Sequence, residues 1–326
     1  MDTVKKYHLN DLGFLAYDVT PGQSYKYVLH ESKEWIEKAQ QIQGPDWYYS
    51  KHSDSIEYKF DSFGFRNDME LEEVSANEDW WLIESGCSGM GPGIHHHETW
   101  HQVLSDIAGV PVYSMSLFTT SPEFTNYNLV ELSKRWINPP TKMFTFLKEN
   151  SNQTFKIDDK GRIHNIDHTN MKLHPNDPEY TWYRELEESQ ILSSGNKLDC
   201  LTTIKLCETF GIELSLMNKS MVYEKDSEGI GGVGFEFQML RNVFMDDDLI
   251  QPRLIPQGSP YTALKEQPFE ERQQHTVERI IEPIMFCQPP KGFTVDDVSR
   301  DMIHPSIKSH EGLALKVANH FNLSAY

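Results

Sequence analysis

What most constrains this chain is the order of its apolar segments. Short buried-strand runs alternate with stretches of helical spacing. Trp80–Ile83 predicts a strand, and the glycine-dense ESGCSGMGPG that follows predicts a turn. A helix is expected over roughly 96–108, with Trp100, Val103, Leu104 and Ile107 on one face and Gly109 as its stop. Val110–Leu117 predicts a second strand and Leu129–Trp136 a helix ended by Pro139–Pro140. Met143–Leu147 predicts a third strand. After a polar excursion at 151–180, helical spacing returns at Leu198, Leu201, Ile204, Cys207 and Phe210. Ile212–Met217 is a fourth strand, and a last helix begins near Pro305 with Ile307, Leu313, Val317 and Phe321 on its apolar face. Strand and helix in alternation imply a doubly wound α/β sheet, here of about five mainly parallel strands. Residues 1–77 are expected to be an irregular lead-in with short strands, 78–218 with 298–326 the core, and 219–297 an insertion. Such sheets place their sites beyond the C-terminal ends of the strands, which points to 84–93, 114–123 and 148–152.

Charge and composition exclude several classes. Thirty Lys and Arg against 49 Asp and Glu leave a net charge of −19, which repels phosphate backbones and anionic lipid. Nucleic-acid and membrane partners are therefore not expected. No apolar run reaches the ~20 residues of a membrane span, and the first residues lack a secretory pattern. Four scattered cysteines among 326 residues imply neither a disulfide scaffold nor a Cys-based metal site, so a reducing compartment is expected.

Ser88 lies in Glu84-Ser85-Gly86-Cys87-Ser88-Gly89, directly after the first strand. A serine there can project past the sheet edge, with backbone N–H groups at a helix start to hold an oxyanion. Near the C-terminus, Asp301 and His304 stand three residues apart. A nucleophilic serine needs a base, and the base needs an orienting acceptor. Each motif alone is ordinary turn or cap chemistry, and they gain meaning together.

Two other strings compete. His97-Glu98-Thr99-Trp100-His101 fits HExxH, which on one helix face binds zinc, with Glu123 as a downstream third ligand. It starts only four residues after Gly93 and has no GxxH continuation, so a zinc protease is the lesser alternative, and His95 and His96 read either as an addition to an adventitious metal patch or as a solvated loop. Gly86, Gly89, Gly91 and Gly93 suggest a dinucleotide loop, but the second strand ends without an acidic residue and Pro92 interrupts the turn. The glycines read better as freeing the backbone around Ser88. Asp246-Asp247-Asp248 reads as a solvated acidic run.

The segments WWLIESGCSGMG…ETW, VPVYSMSL and DMIHPSIKSHEGLALKVANHF, preceded by FDSFGFRND, resemble the SGNH/GDSL hydrolase superfamily. The similarity is to the branch with GCSxxxG…ETW that is often encoded by tailed phages. That resemblance implies a flavodoxin-like three-layer sheet and no metal or organic cofactor. It implies Ser88 as nucleophile, His304 as base and Asp301 as its partner. The N–H groups of Ser88 and Thr119 and the amide of Asn150 would form the oxyanion hole. Thr119 replaces the family's glycine, and Lys148-Glu149-Asn150-Ser151 keeps only the asparagine of the third block. The expected function is hydrolysis of a short acyl ester, with a carbohydrate O-acetyl group as the expected substrate. The alternative is a catalytically weakened structural or binding protein on the same fold, a phage virion component, with virion proteins or a second copy as partners. The corresponding location is the cytoplasm or the virion.

Overall fold

The computed structural model describes residues 8–9, 13–16, 19–28, 31, 33–117, 122–147, 153–157, 163–167, 191–218, 254–255, 299–300 and 307–323. Its centre is a five-stranded parallel sheet of β5 (Trp81–Glu84), β6 (Val112–Ser114), β7 (Lys142–Leu147), β10 (Glu213–Asn218) and β11 (Leu254–Ile255). The strand order is β11-β10-β7-β5-β6. Read in chain order from the other edge this is 2-1-3-4-5, the flavodoxin-like winding. Trp81 pairs with Val112 on one side and Lys142 on the other, so β5 is central. β11 lies inside 219–297, and this part of that stretch extends the sheet edge.

Alternation along β5 explains the two faces. Trp81 and Ile83, with Phe144 of β7, pack on α5 (Trp100–Ala108) and α8 (Ile307–His320) through Trp100, Leu104, Leu313 and Val317. Leu82 and Met143 face the other way, toward α6 (Pro122–Ser133) and α7 (Ile191–Phe210), where Phe124, Leu129, Leu132, Ile204 and Cys207 are buried. The result is three layers, as expected.

The predicted helix over 96–108 is two elements. Residues His96–Glu98 form a 3₁₀ turn, and Thr99 is extended at φ −67°, ψ 147° before α5 begins. A capping box causes the break: the Glu98 carboxylate accepts the His95 N–H at 2.9 Å and closes the turn on itself. The predicted strand Val110–Leu117 shortens to Val112–Ser114, and the polar excursion contains an antiparallel hairpin of β8 (Gln153–Ile157) and β9 (Ile163–Asp167).

The lead-in has the expected short strands and also helices that were not expected. It holds the paired strands β1 (His8–Leu9) and β2 (Leu15–Ala16), and β3 (Ser24–Tyr25) with β4 (Tyr58–Lys59). Helices α1 (Lys33–Gln43), α2 (Tyr48–His52) and α3 (Leu71–Ser75) complete it. Phe14, Phe63 and Phe65 pack together and join the core beneath α6. Asn67 covers the free edge of β6: its amide donates to the Ser114 carbonyl and accepts the Ser114 N–H, both at 2.9 Å. Asp61 supports it, accepting from Asn67, the Tyr113 hydroxyl and two backbone N–H groups, and burial pushes its carboxyl up to about 6. Among the described residues no helix is long and apolar enough to cross a membrane.

Candidate active site

The strand order reverses between β5 and β7, and a doubly wound sheet opens a crevice beyond the strand ends at that point. The chain leaving β5 there makes a sharp turn. Gly86 stands at φ 57°, ψ −141°, a conformation closed to L side chains, and α4 (Cys87–Met90) starts immediately after it. Ser88 is the second residue of α4, in the first turn, where a backbone N–H has no partner within the helix.

Five hydrogen bonds hold this elbow. The Glu84 side chain, fully buried at the end of β5, accepts the Gly86 N–H at 3.1 Å. Its other oxygen accepts from Thr125 of α6 at 3.0 Å and Thr145 of β7 at 3.1 Å, tying the turn to both neighbours. Ser116 accepts the Ser85 N–H at 2.9 Å. Gly89 lies so close to Ser85 and Ser116 that a Cβ on it would collide with both side chains. The Ser85 hydroxyl, buried, accepts from the Trp100 indole at 3.1 Å. Of the two serines around the turn, Ser85 is thus committed to packing.

The loop after α4 is clamped by Arg66 of the FGFRND segment. Its guanidinium is buried against the Tyr58 ring, 4.4 Å from the centroid, and donates to the carbonyls of Met90, Gly91 and Ile94 at 2.6–2.9 Å. Burial lowers its pKa, opposed by the nearby Tyr58 and Glu31. The aromatic motif upstream of the serine is therefore the support of the serine's own loop.

The C-terminal region meets this loop at two points. Gly93, at φ 73°, accepts the Arg300 N–H at 3.1 Å, and a Cβ on it would stand 2.6 Å from the Ser299 hydroxyl. Farther on, the His310 ring of α8 accepts the Trp100 N–H at 3.0 Å at the start of α5. Asp301 and His304 fall between these anchors and lie outside the described residues, as do Thr119, Glu149 and Asn150 and the acidic run 246–248. Of the predicted site, Ser88 is positioned by its backbone on α4. The described residues that flank the other predicted positions in sequence are Leu117, Leu147, Arg300 and Ile307.

The HExxH alternative does not survive the geometry. His97 is exposed on the 3₁₀ turn, whereas His101 is fully buried on α5 beyond the Thr99 break, so the two rings do not share a helix face. Glu98 is spent on the His95 N–H and the Tyr48 hydroxyl. Burial holds His101 well below the usual imidazole range, with His96, His310 and Arg66 adding to the effect. Glu123 sits on α6 facing Asp199 of α7, whose carboxyl is pushed up to about 7 by burial and then by Glu123. No group of three or more His, Cys, Asp or Glu among the described residues is arranged to hold a metal ion.

Comparison with known proteins gives structural likeness alone. A lipolytic G-D-S-L family protein from Veillonella parvula is similar at TM-score 0.41 and 16% identity, covering 75% of this chain and 98% of its own. The psychrotrophic esterase EstA from Pseudoalteromonas sp. is similar at TM-score 0.37 and 10% identity, covering 76% of this chain and 97% of its own. No protein-family model and no curated protein matches the chain.

Proposed function

We propose that the protein is a serine esterase of the SGNH type, hydrolysing a short acyl ester. Ser88 Oγ attacks the acyl carbon and passes its proton to His304, while Asp301 holds the imidazolium. The N–H groups of Ser88 and Thr119 and the Asn150 amide take the negative charge of the tetrahedral oxygen. Collapse expels the alcohol, which carries off the His304 proton, and water deacylates the serine by the same steps. One oxyanion donor in such a site is worth about 3–4 kcal/mol of barrier, so losing one slows the reaction by orders of magnitude and leaves the fold alone. A carbohydrate O-acetyl group is the substrate we favour, on the strength of the aromatic content of 12%.

The observation that carries this reading is the contact of Ser299 and Arg300 with Gly93, five residues after Ser88. Asp301 follows Arg300 directly, and consecutive Cα atoms are about 3.8 Å apart. That contact supports the reading in which Asp301 and His304 serve the serine. The test is hydrolysis of a short-chain aryl acetate by wild type, Ser88→Ala and His304→Ala. The reading expects both variants to lose at least about a thousandfold in kcat/KM. Equal background rates for all three would overturn it in favour of a non-catalytic protein on this fold, the reading that Thr119 and Lys148-Glu149-Asn150-Ser151 motivate.

A further inference from the structure

We infer that Glu84 is a positioning residue for the candidate nucleophile, acting through Gly86 to fix where α4 begins and so where the Ser88 backbone stands. The inference deepens the esterase reading above and rests on it.

Glu84 ends β5 with its side chain fully buried, an expensive place for a carboxylate. It pairs in register with Thr145 of β7, so the two side chains leave the sheet on one face, the face that α6 covers. The two oxygens divide their tasks. One accepts the Thr145 hydroxyl at 3.1 Å and the Thr125 hydroxyl of α6 at 3.0 Å. That oxygen is anchored on the neighbouring strand and on the helix above it. The other oxygen accepts the Gly86 N–H at 3.1 Å, two residues along the chain.

Gly86 is thereby held from both sides. Its N–H goes to Glu84, and its carbonyl accepts the N–H groups of Gly89 and Met90, both at 3.0 Å, which close the first turn of α4. The Ser88 N–H lies in that turn without a partner inside the helix, and its direction follows from how Gly86 is set. It is the group that would meet a developing oxyanion. A buried carboxylate is a poor way to add stability, because its desolvation offsets the bonds it makes. What this one supplies is a single setting of the turn relative to β7 and α6. A displacement of 1 Å at reacting groups can cost about a hundredfold in rate.

The test uses the full chain and an aryl acetate. Glu84→Met keeps the length of the side chain and removes both acceptors. It is expected to lose about ten- to a hundredfold in kcat with KM within twofold, and to slow fluorophosphonate labelling of Ser88 in parallel. Glu84→Gln is expected to recover kcat to within fivefold of wild type. Its amide oxygen can still accept the Gly86 N–H, and its NH2 can donate to the two threonine hydroxyls, which rotate to accept. Thr203→Val is the control for a buried hydroxyl lost elsewhere: on α7, Thr203 bonds Asn126 of α6 at 2.6 Å. It should lower the melting temperature and leave kcat within twofold. A Glu84→Met variant that is folded by near-UV circular dichroism and has kcat within twofold of wild type overturns the inference. So does a Glu84→Gln variant as slow as Glu84→Met. Should Glu84→Met not fold, Thr125→Val combined with Thr145→Val decides, because it releases the anchored oxygen and leaves the carboxylate in place. A kcat loss of at least fivefold then supports the positioning role, and a smaller one overturns it. Ser88→Ala is run alongside. If wild type is no faster than Ser88→Ala, the esterase reading has failed and takes the positioning role with it. If hydrolysis depends on Ser88 and folded Glu84→Met keeps the full rate, the positioning role fails alone.

Discussion

Replacing Gly93 by alanine should separate backbone strain from the docking of the C-terminal region. An L residue at φ 73° costs about 1–2 kcal/mol. The new Cβ would also stand 2.7 Å from the Arg300 nitrogen and 2.6 Å from Ser299 Oγ, against a normal contact near 3.4 Å. The backbone nitrogen cannot rotate away, so residues 299–300 must shift by about 0.7 Å or more, lengthening the Arg300 N–H bond to the Gly93 carbonyl and losing about 0.5–1.5 kcal/mol. The expected destabilisation is about 1.5–3.5 kcal/mol. Gly109→Ala is the control, because Gly109 has φ 64° and no atom lies within 4 Å of where its Cβ would be. It should cost only the strain. Urea unfolding at unchanged m reads both values. If Gly93→Ala falls within 0.5 kcal/mol of the control, the tight apposition of the two segments is wrong.

Three further outcomes follow from particular contacts. Asn67→Ala leaves the buried Ser114 N–H and carbonyl unpaired, so it should cost about 2–5 kcal/mol in denaturant melts; less than 1 kcal/mol would show that another group caps β6. The Asp199 carboxyl is raised in the folded state, so its contribution to stability is full below about pH 4 and is lost as the pH rises through about 7. Glu123→Gln removes part of the cause and should therefore raise the melting temperature at pH 8 and not at pH 4. An equal shift at both would refute the assignment. Finally, His97→Ala and a strong chelator should each leave aryl acetate hydrolysis unchanged, and loss of activity with either would revive the metal reading.

The core was legible because its physics is local. Trp81, Leu82 and Ile83 form an apolar run that reads as a strand buried on both faces, whereas the glycine cluster that reads as a turn also holds the short helix α4, whose four residues carry no periodic signal. The helix break at Thr99 was not, because it depends on one side-chain bond, Glu98 to the His95 N–H, that competes with helical continuation. Nor was α1, whose buried Ile36 and Ala39 are too few among charged neighbours to show a clear stripe. β8 alternates Phe155 and Ile157, but β9 spaces Ile163 and Ile166 three apart, so their pairing left only a partial period-two signal in a polar stretch. In the site, Ser88 and the Asp301–His304 pair are candidates by residue type and position, and the family resemblance is what joins them. The supports could not: Arg66 reaches carbonyls 24–28 residues away, and Glu31 finds Arg300 across nearly the whole chain. Such pairings are set by tertiary geometry and leave no periodic trace.

The central claim is that Ser88 is an activated nucleophile, and a fluorophosphonate probes that directly. Incubation of the full chain with the reagent, followed by peptide mass spectrometry, should find one phosphonyl adduct on Ser88, abolished in Ser88→Ala and strongly slowed in His304→Ala. An adduct on Ser85, or labelling unaffected by either substitution, would contradict the account.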